Sequence, residues 1–337
     1  MLKNIENPID FVLTWVDGAD PAWKAEKNKF AGKESSSVHR FDYQDWGLLP
    51  YWFRCVEKNA PWVRHIYFVT WGHIPAWLNT NHPKLKIVKH TDYIPKKYLP
   101  TFSSHTIELN LHRIPGLSEK FVYFNDDMYL LKKVTPAFFF KNELPCDCAI
   151  INPIAPANKN CIANLMLTTT GVINEHFSKR KVIQGNVLKW FNLHYFPLVF
   201  LNILFIPWGR FVGLYESHLP TSLLKKTYYD VWDKEYELLD ATCSRKFRDF
   251  KVDVNQWIIK DWQIVSGDFS SRSIHAGKRF AIKDVNDARQ YADVIKNMKT
   301  FMVCINDHIS DETYKEAAET IKTAFEKKYS TKSSFEL

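Results

Sequence analysis

Short apolar runs, two of them stopping at acidic or amide residues, recur through the first 150 residues and limit the fold more than any other feature of this chain. Residues 9–16 form such a run and end in Asp17-Gly18. Residues 65–71 (HIYFVTW) and 85–88 read as strands, and residues 120–124 (KFVYF) run into Asn125-Asp126-Asp127. Between them the spacing turns helical. Residues 42–59, with Pro50 near the start of the helical spacing, place Leu49, Phe53 and Val56 on one face, and residues 104–114 do the same with Ile107, Leu111 and Ile114. Strands that alternate with helices, and that are apolar on both faces, predict an α/β fold: a mostly parallel sheet with helices on both sides.

The second half is less regular. Pro145, Pro153 and Pro156 interrupt residues 140–220, whereas residues 221–260 carry a helical pattern rich in Tyr, Leu and Lys. A short run ending in Cys304-Ile305-Asn306-Asp307 reads as a further strand. A last helix opens with Ser310 as cap and Asp311 and Glu312 in its first turn, with Ile321 and Phe325 stacked at i, i+4. The terminal STKSSFEL reads as frayed. The chain therefore divides into a first part of the core (1–140), an irregular and partly apolar insertion (141–220), a helical segment returning to the core (221–310), and a C-terminal helix with its tail (311–337).

Composition excludes several classes. At 46% apolar residues, most of the chain is not disordered. Only 11 glycines are present, and no two are two residues apart, so there is no G-x-G-x-x-G; no Gly-Lys-Ser/Thr exists either, so there is no Walker loop. The net charge of +8 is spread along the chain without a helix-turn-helix, RNA-recognition or zinc-finger signature. We read no nucleic-acid partner, and instead an anionic small substrate or a membrane surface. The start of the chain lacks the pattern of a signal peptide. The six cysteines show no metal-binding spacing, Cys146-x-Cys148 with Cys161 being a poor zinc candidate, and free thiols suit a reducing cytoplasm. The longest apolar stretch, residues 193–208 (LHYFPLVFLNILFIPW), is shorter than the ~20 residues a spanning helix needs. Lys179, Arg180, Lys181 and Lys189 precede it. Two readings stand: a surface lying on an anionic membrane, or a buried helix with a solvated basic approach.

Open α/β sheets bind ligands at the carboxyl ends of their strands. That directs attention to Thr14-Trp15-Val16-Asp17-Gly18 and to Asn125-Asp126-Asp127. Adjacent acids at a strand end are either exposed turn residues or are compensated, and a divalent metal on a diphosphate would compensate them. Asn306-Asp307 repeats the pattern at a second strand end. Glu108 precedes His112 and Arg113 on a helical segment and is either a wall of the site or part of a solvated face. His218 opens SHLPTSLL, and Arg248 lies in RKFRDF ahead of Asp253 and Asn255. A guanidinium there suits bidentate phosphate binding or simple surface charge.

Four separated blocks then give a resemblance: IDFVLTWVDGADPAW at 9–23; a long block from Arg40 to Asp127; SHLP at 217–220 with RKFRDFKVDVNQW at 245–257; and VCINDH at 303–308. In this order they resemble the Stealth family of sugar-phosphate transferases. That family includes bacterial capsular and cell-wall polysaccharide phosphotransferases and the eukaryotic enzyme that places N-acetylglucosamine 1-phosphate on lysosomal glycoproteins. The resemblance implies a Rossmann-like, A-type glycosyltransferase sheet, here with a helical insertion in the second half. It implies transfer of a sugar 1-phosphate from a UDP-sugar to a glycan hydroxyl, with release of UMP and a requirement for Mg²⁺ or Mn²⁺. The family's catalytic positions fall on Glu108, Asp127, His218 and Arg248. Asp17 and its neighbours Thr14, Trp15, Val16 and Gly18, with Arg113 and Asn125, would serve the nucleotide-sugar. Asp126, Asp127, Asn306 and Asp307 would form the metal shell. The loop between Arg248 and Asp253 differs in length from other members.

On this reading His218 is the first choice for general base and Glu108 the alternative, Arg248 clamps the phosphoryl oxygens, and Trp15 and Trp71 stack on uracil or sugar. The acceptor would be a glycan or a polyprenyl-linked oligosaccharide, and the setting the cytoplasmic face of a bacterial membrane. Two rivals remain: an ordinary glycosyltransferase that releases UDP, and a non-catalytic polysaccharide-binding subunit.

Overall fold

The computed structural model describes residues 8–31, 46–307 and 309–337, and the side chains of Asn306, Asp307 and Asp311 lie outside that description. The expected helix over 42–59 is therefore described only from Trp46 onward, and there it runs Leu49–Asn59 with Pro50 in its first turn.

The central sheet has five strands: β1 (Ile9–Thr14), β2 (Ile66–Thr70), β3 (Leu85–Lys89), β4 (Lys120–Asn125) and β8 (Thr221–Leu224), in the order β3-β2-β1-β4-β8. The first four are parallel, and β8 joins β4 antiparallel. The fold is thus mixed α/β around a parallel-rich sheet. Side chains alternate across a strand, and the two faces feed two cores. Phe11, Leu13, Phe68, Val122 and Phe124 pack into one. Their neighbours Val12, Tyr67, Val69, Phe121 and Tyr123 pack into the other. Asp10 is the exception inside β1. It is fully buried, and a fork from Arg64 (Nε to Oδ1 2.8 Å) and the Ser118 N–H (2.8 Å) satisfy it.

A second, three-stranded sheet orders β10 (Gly277–Ile282), β11 (Met302–Asp307) and β5 (Met128–Leu130), with β5 antiparallel to β11. Helices Val285–Asn297 and Asp311–Lys328 join the core that this sheet shares with the Leu49–Asn59 helix. A small third sheet links β6 (Phe140–Lys141), β7 (Leu144–Asp147) and β9 (Ser270–Ser271).

Four expectations change. The segment 104–114 is not one helix: a helix spans Ser104–Leu109, and a 3₁₀ turn spans Leu111–Arg113. Asn110 interrupts it, with its side chain donating to the Thr106 carbonyl (2.8 Å). The segment 221–260 opens as a strand, because pairing with β4 outweighs helical patterning; helices Lys225–Lys234 and Tyr236–Ser244 meet at Glu235, and a loop over 245–256 leads to the helix Trp257–Ser266. The tail is not frayed. Phe335 is buried against Phe53 at 5.3 Å, and Arg54 grips Glu336 with Nε–Oε1 2.8 Å and Nη2–Oε2 2.7 Å. Ser310 stands at the start of its helix, but its hydroxyl meets the Thr313 hydroxyl (3.3 Å) and not a backbone N–H.

Candidate active site

The carboxyl edge of the central sheet collects the polar residues. Thr14 and Asn125 end β1 and β4 as register partners. Tyr123 stands two residues before Asn125 and so on the same face of β4. Its hydroxyl lies 3.3 Å from Thr14 Oγ1 and donates to Asn125 Oδ1 at 2.5 Å. Behind this pair Glu108 is buried on the Ser104–Leu109 helix and accepts the Gln256 N–H (3.4 Å). Burial raises the Glu108 carboxyl above its ordinary value, while His105, the Gln256 N–H, Tyr123 and Arg248 pull the other way. A buried carboxyl poised above its usual range, within the electrostatic reach of a guanidinium, is a functional arrangement more than a stabilising one.

Arg248 reaches this place because Asp253 organises its loop. The buried Asp253 carboxylate receives Arg245 Nη1 (2.9 Å) and the Asp249 N–H (2.7 Å), and it lies 3.0 Å from His105 Nδ1 on the Glu108 helix. Loop and helix are thereby pinned together. Asn255 turns the chain into the next helix by accepting the Trp257 N–H (3.1 Å). Within this shell the sequence reading missed Tyr123 and His105 as partners. Period-two alternation from Asn125 back to Tyr123 was the available signal; nothing local marks His105.

The second half of the site is a corner at Asp127. Because β8 runs antiparallel to β4, with Thr221 opposite Tyr123, the residues just before Thr221 flank those just after Tyr123. This brings His218 Nε2 to 3.7 Å from Asp127 Oδ2. His218 has φ of 49°, in the left-handed region, and its ring meets Trp257 edge-on at 6.5 Å. The second sheet adds Cys304. Its partner in β5 is Met128, the Ile305 N–H donates to the Asp127 carbonyl (2.9 Å), and the thiol donates to Asp127 Oδ2 (3.2 Å). Burial and the adjacent Asp127 push that thiol's pKa well up, so it stays protonated. Asp127 Oδ1 is buried without a hydrogen-bond partner. Among the described residues, Asp127, His218 and Cys304 form the group whose ligand atoms lie within 4.8 Å of one another. Asp126 is exposed beside them. The backbone of Asn306 and Asp307 continues β11 past this corner; their side chains are outside the described set.

Buried charges brace the corner from behind. Lys260 Nζ lies 2.7 Å from Glu216 Oε1 and donates to the Tyr215 carbonyl (2.9 Å), tying the chain just ahead of His218 to the helix that begins at Trp257.

Other expected residues are placed differently. The Asp17 carboxylate accepts the Ala19 N–H (2.8 Å), and its own N–H donates to His73 Nε2 (2.7 Å). Trp15 is buried, stacked on Phe68 (5.5 Å) and met edge-on by His73 (5.1 Å). Trp71 donates to Glu26 (2.7 Å). Val16 and Gly18 are half-buried at the same strand end. Arg113 is not brought to the cluster. It is exposed, bonded to Asn110 (3.0 Å), with its guanidinium over Trp232 (4.9 Å). The core-helix reading of 193–208 fails, because most of its large apolar side chains are exposed. No described helix is long and apolar enough to cross a membrane.

Comparison with known proteins adds to this geometry. The models for Stealth protein conserved regions 1 and 2 match residues 7–35 and 42–146. A capsular polysaccharide phosphotransferase, WcwK of Streptococcus pneumoniae, is 43% identical over 99% of this chain and 99% of its own. A receptor polysaccharide phosphotransferase, WefC of Streptococcus oralis, is 37% identical over 98% and 100%, and an exopolysaccharide phosphotransferase, cps2G of Lactiplantibacillus plantarum, is 36% identical over 97% and 96%. A solved structure of the bifunctional glycosyltransferase WbbM aligns with 98% of this chain and 53% of that one at TM-score 0.36 and 11% identity, too distant a likeness to carry weight. With identity at the level of WcwK running from end to end, the chain belongs to the Stealth family.

Proposed function

We propose that this chain is a polysaccharide phosphotransferase that moves a sugar 1-phosphate from a UDP-sugar to a glycan hydroxyl, on a sheet of the Rossmann-like, A-type glycosyltransferase kind. The acceptor oxygen attacks the β-phosphorus, the new P–O bond forms, and the bond from that phosphorus to the oxygen bridging it to the α-phosphate breaks. UMP leaves with the electron pair, and the acceptor proton passes to a base. Phosphoryl transfer depends mostly on positioning and charge stabilisation. The observation that carries the reading is the placing of the Tyr123–Asn125 pair and the unpartnered Oδ1 of Asp127 at one sheet edge, with the buried Glu108 close enough to Arg248 to feel its charge.

Arg248 clamps the transferring phosphoryl oxygens, held in place by the Asp253 anchorage of its loop. His218, whose Nε2 lies 3.7 Å from the Asp127 carboxylate, accepts the acceptor proton. Glu108 is the alternative base, or orients the acceptor. Thr14, Asp17 and Asn125 line the edge where the nucleotide would lie. The donor set fits a hard divalent cation. Asp127 offers a buried oxygen in want of a partner, whereas Cys304 acts as a protonated donor, not the thiolate that zinc selects. Asp127 and Asp126, with Asn306 and Asp307 on β11, would hold Mg²⁺ or Mn²⁺, which would draw charge from the diphosphate. A polyprenyl-linked acceptor would place this work at the inner face of a bacterial membrane.

The test is the released nucleotide. Incubated with Mg²⁺, a UDP-sugar and a glycan acceptor, the protein should release UMP. UDP in its place would make it an ordinary glycosyltransferase, and the absence of metal-dependent nucleotide binding would make it a binding subunit.

A further inference from the structure

Residues 187–208 break the rule that large apolar side chains are covered. Leu188 and Leu193 are each 84% exposed, Phe200 59% and Trp208 52%, with Leu204 and Ile206 also in the open. An apolar surface this concentrated marks an interaction site. It is held rigidly. Asn202 is fully buried and donates to the carbonyls of Ala149 (2.8 Å) and Trp190 (2.6 Å) while accepting the Ile151 N–H (2.7 Å). The buried ammonium of Lys179 is bonded to the carbonyls of Phe205 and Trp208, which closes the turn that ends the segment. Backbone polar groups are thus tied inward while the side chains point outward.

Charge selects the occupant. From His176 to Tyr215 the chain has no Asp or Glu and five Lys or Arg, in a protein with 37 acidic residues. Arg180, Lys181 and Arg210 are exposed at the two ends of the apolar run. Aromatic and aliphatic side chains flanked by cations match the acyl boundary and headgroups of an anionic bilayer, and each cation near such a surface strengthens binding about fivefold. We propose that residues 187–208 dock on an anionic lipid surface, with the apolar side chains in the interface and Arg180, Lys181 and Arg210 on the headgroups. His218 stands ten positions after Trp208, so the candidate active site lies within ~35 Å of the docked segment by the reach of the chain. A lipid-linked acceptor is then held at working distance; that consequence alone rests on the phosphotransfer reading.

The experiment uses the full chain with phosphatidylcholine vesicles, with or without phosphatidylglycerol, read by co-sedimentation and in parallel by sedimentation velocity without lipid. Binding should require phosphatidylglycerol and weaken with salt. The triple variant Phe200→Ser/Leu204→Ser/Trp208→Ser should lose at least roughly tenfold in lipid affinity, and Arg180→Glu/Lys181→Glu/Arg210→Glu a similar factor, with unchanged circular dichroism. No binding to either vesicle overturns the proposal. So does self-association that the triple variant abolishes while lipid binding stays absent, which would assign the face to a second copy. UMP release from a soluble acceptor reports separately on the active site.

Discussion

The carboxyl edge of the central sheet buries Glu108 and an oxygen of Asp127, groups that ordinarily sit in water, whereas residues 187–208 expose Leu188, Phe200 and Trp208, which ordinarily avoid it. Both regions invert the usual partition, in opposite directions, and neither inversion stabilises the fold. The edge is wired to the core through Tyr123 and Asp253, so changes there reach both chemistry and stability. The apolar segment makes its structural bonds through Asn202 and Lys179, so its outward side chains are free to change without disturbing the fold.

This contrast can be broken at several points. The largest effect is expected for Asp127→Asn, which keeps the shape but removes the charge: turnover should fall by about a thousandfold or more while the melting temperature holds. Near-normal activity in that variant would remove Asp127 from the metal site. Arg248→Lys should cost about a hundredfold in kcat, since an ammonium cannot form the planar fork. Asp253→Asn acts on the same loop, but through His105, Arg245 and the Asp249 N–H. It should lower activity and also cost about 3 kcal/mol in urea unfolding. An unchanged midpoint would show that the loop does not depend on it.

Stability against pH sharpens the comparison. The folded Glu108 carboxyl is raised above its ordinary 4.5, so its contribution to stability is complete below pH 4.5 and is lost as pH rises through the folded value. Glu108→Gln should therefore be at least as stable as the parent at pH 7, with the advantage fading near pH 4, although its activity drops. His112 has the opposite sign. Burial pushes it from 6.5 to about 3, so its contribution is complete above pH 6.5 and is lost as pH falls toward 3. Replacing His112 with Phe should flatten the acid limb of the melting curve. Smallest of all, Phe200→Ser or Leu204→Ser should move unfolding by no more than about 0.5 kcal/mol, because an exposed side chain surrenders little on truncation.

The alternation of apolar runs and helical spacing named β1 to β4 to within two residues at either end: β1, β2 and β4, buried on both faces, leave a nearly continuous apolar signature, and the edge strand β3 leaves an alternating one. It did not find β8, whose four residues become a strand by pairing with β4. Nor did it find the strap at 333–337, where a single Phe and Glu dock on α-helical partners 282 residues away in the chain. In the site, the acids at strand ends were legible as residue types. Arg113 was grouped with Glu108 by proximity in sequence, yet Asn110 ends the helix between them and turns Arg113 onto Trp232.

The sequence by itself determined the class of fold and the family, since periodicity and local motifs are properties of contiguous residues. Tertiary structure decided which of those residues meet. Only an antiparallel β8 carries His218 to Asp127, and only the pairing of β11 with β5 puts Cys304 against the same carboxylate. Only packing could show that residues 187–208 stay uncovered. Each depends on contacts between distant parts of the chain, and no local pattern encodes which apolar face will find a partner and which will be left to the solvent or to a lipid surface.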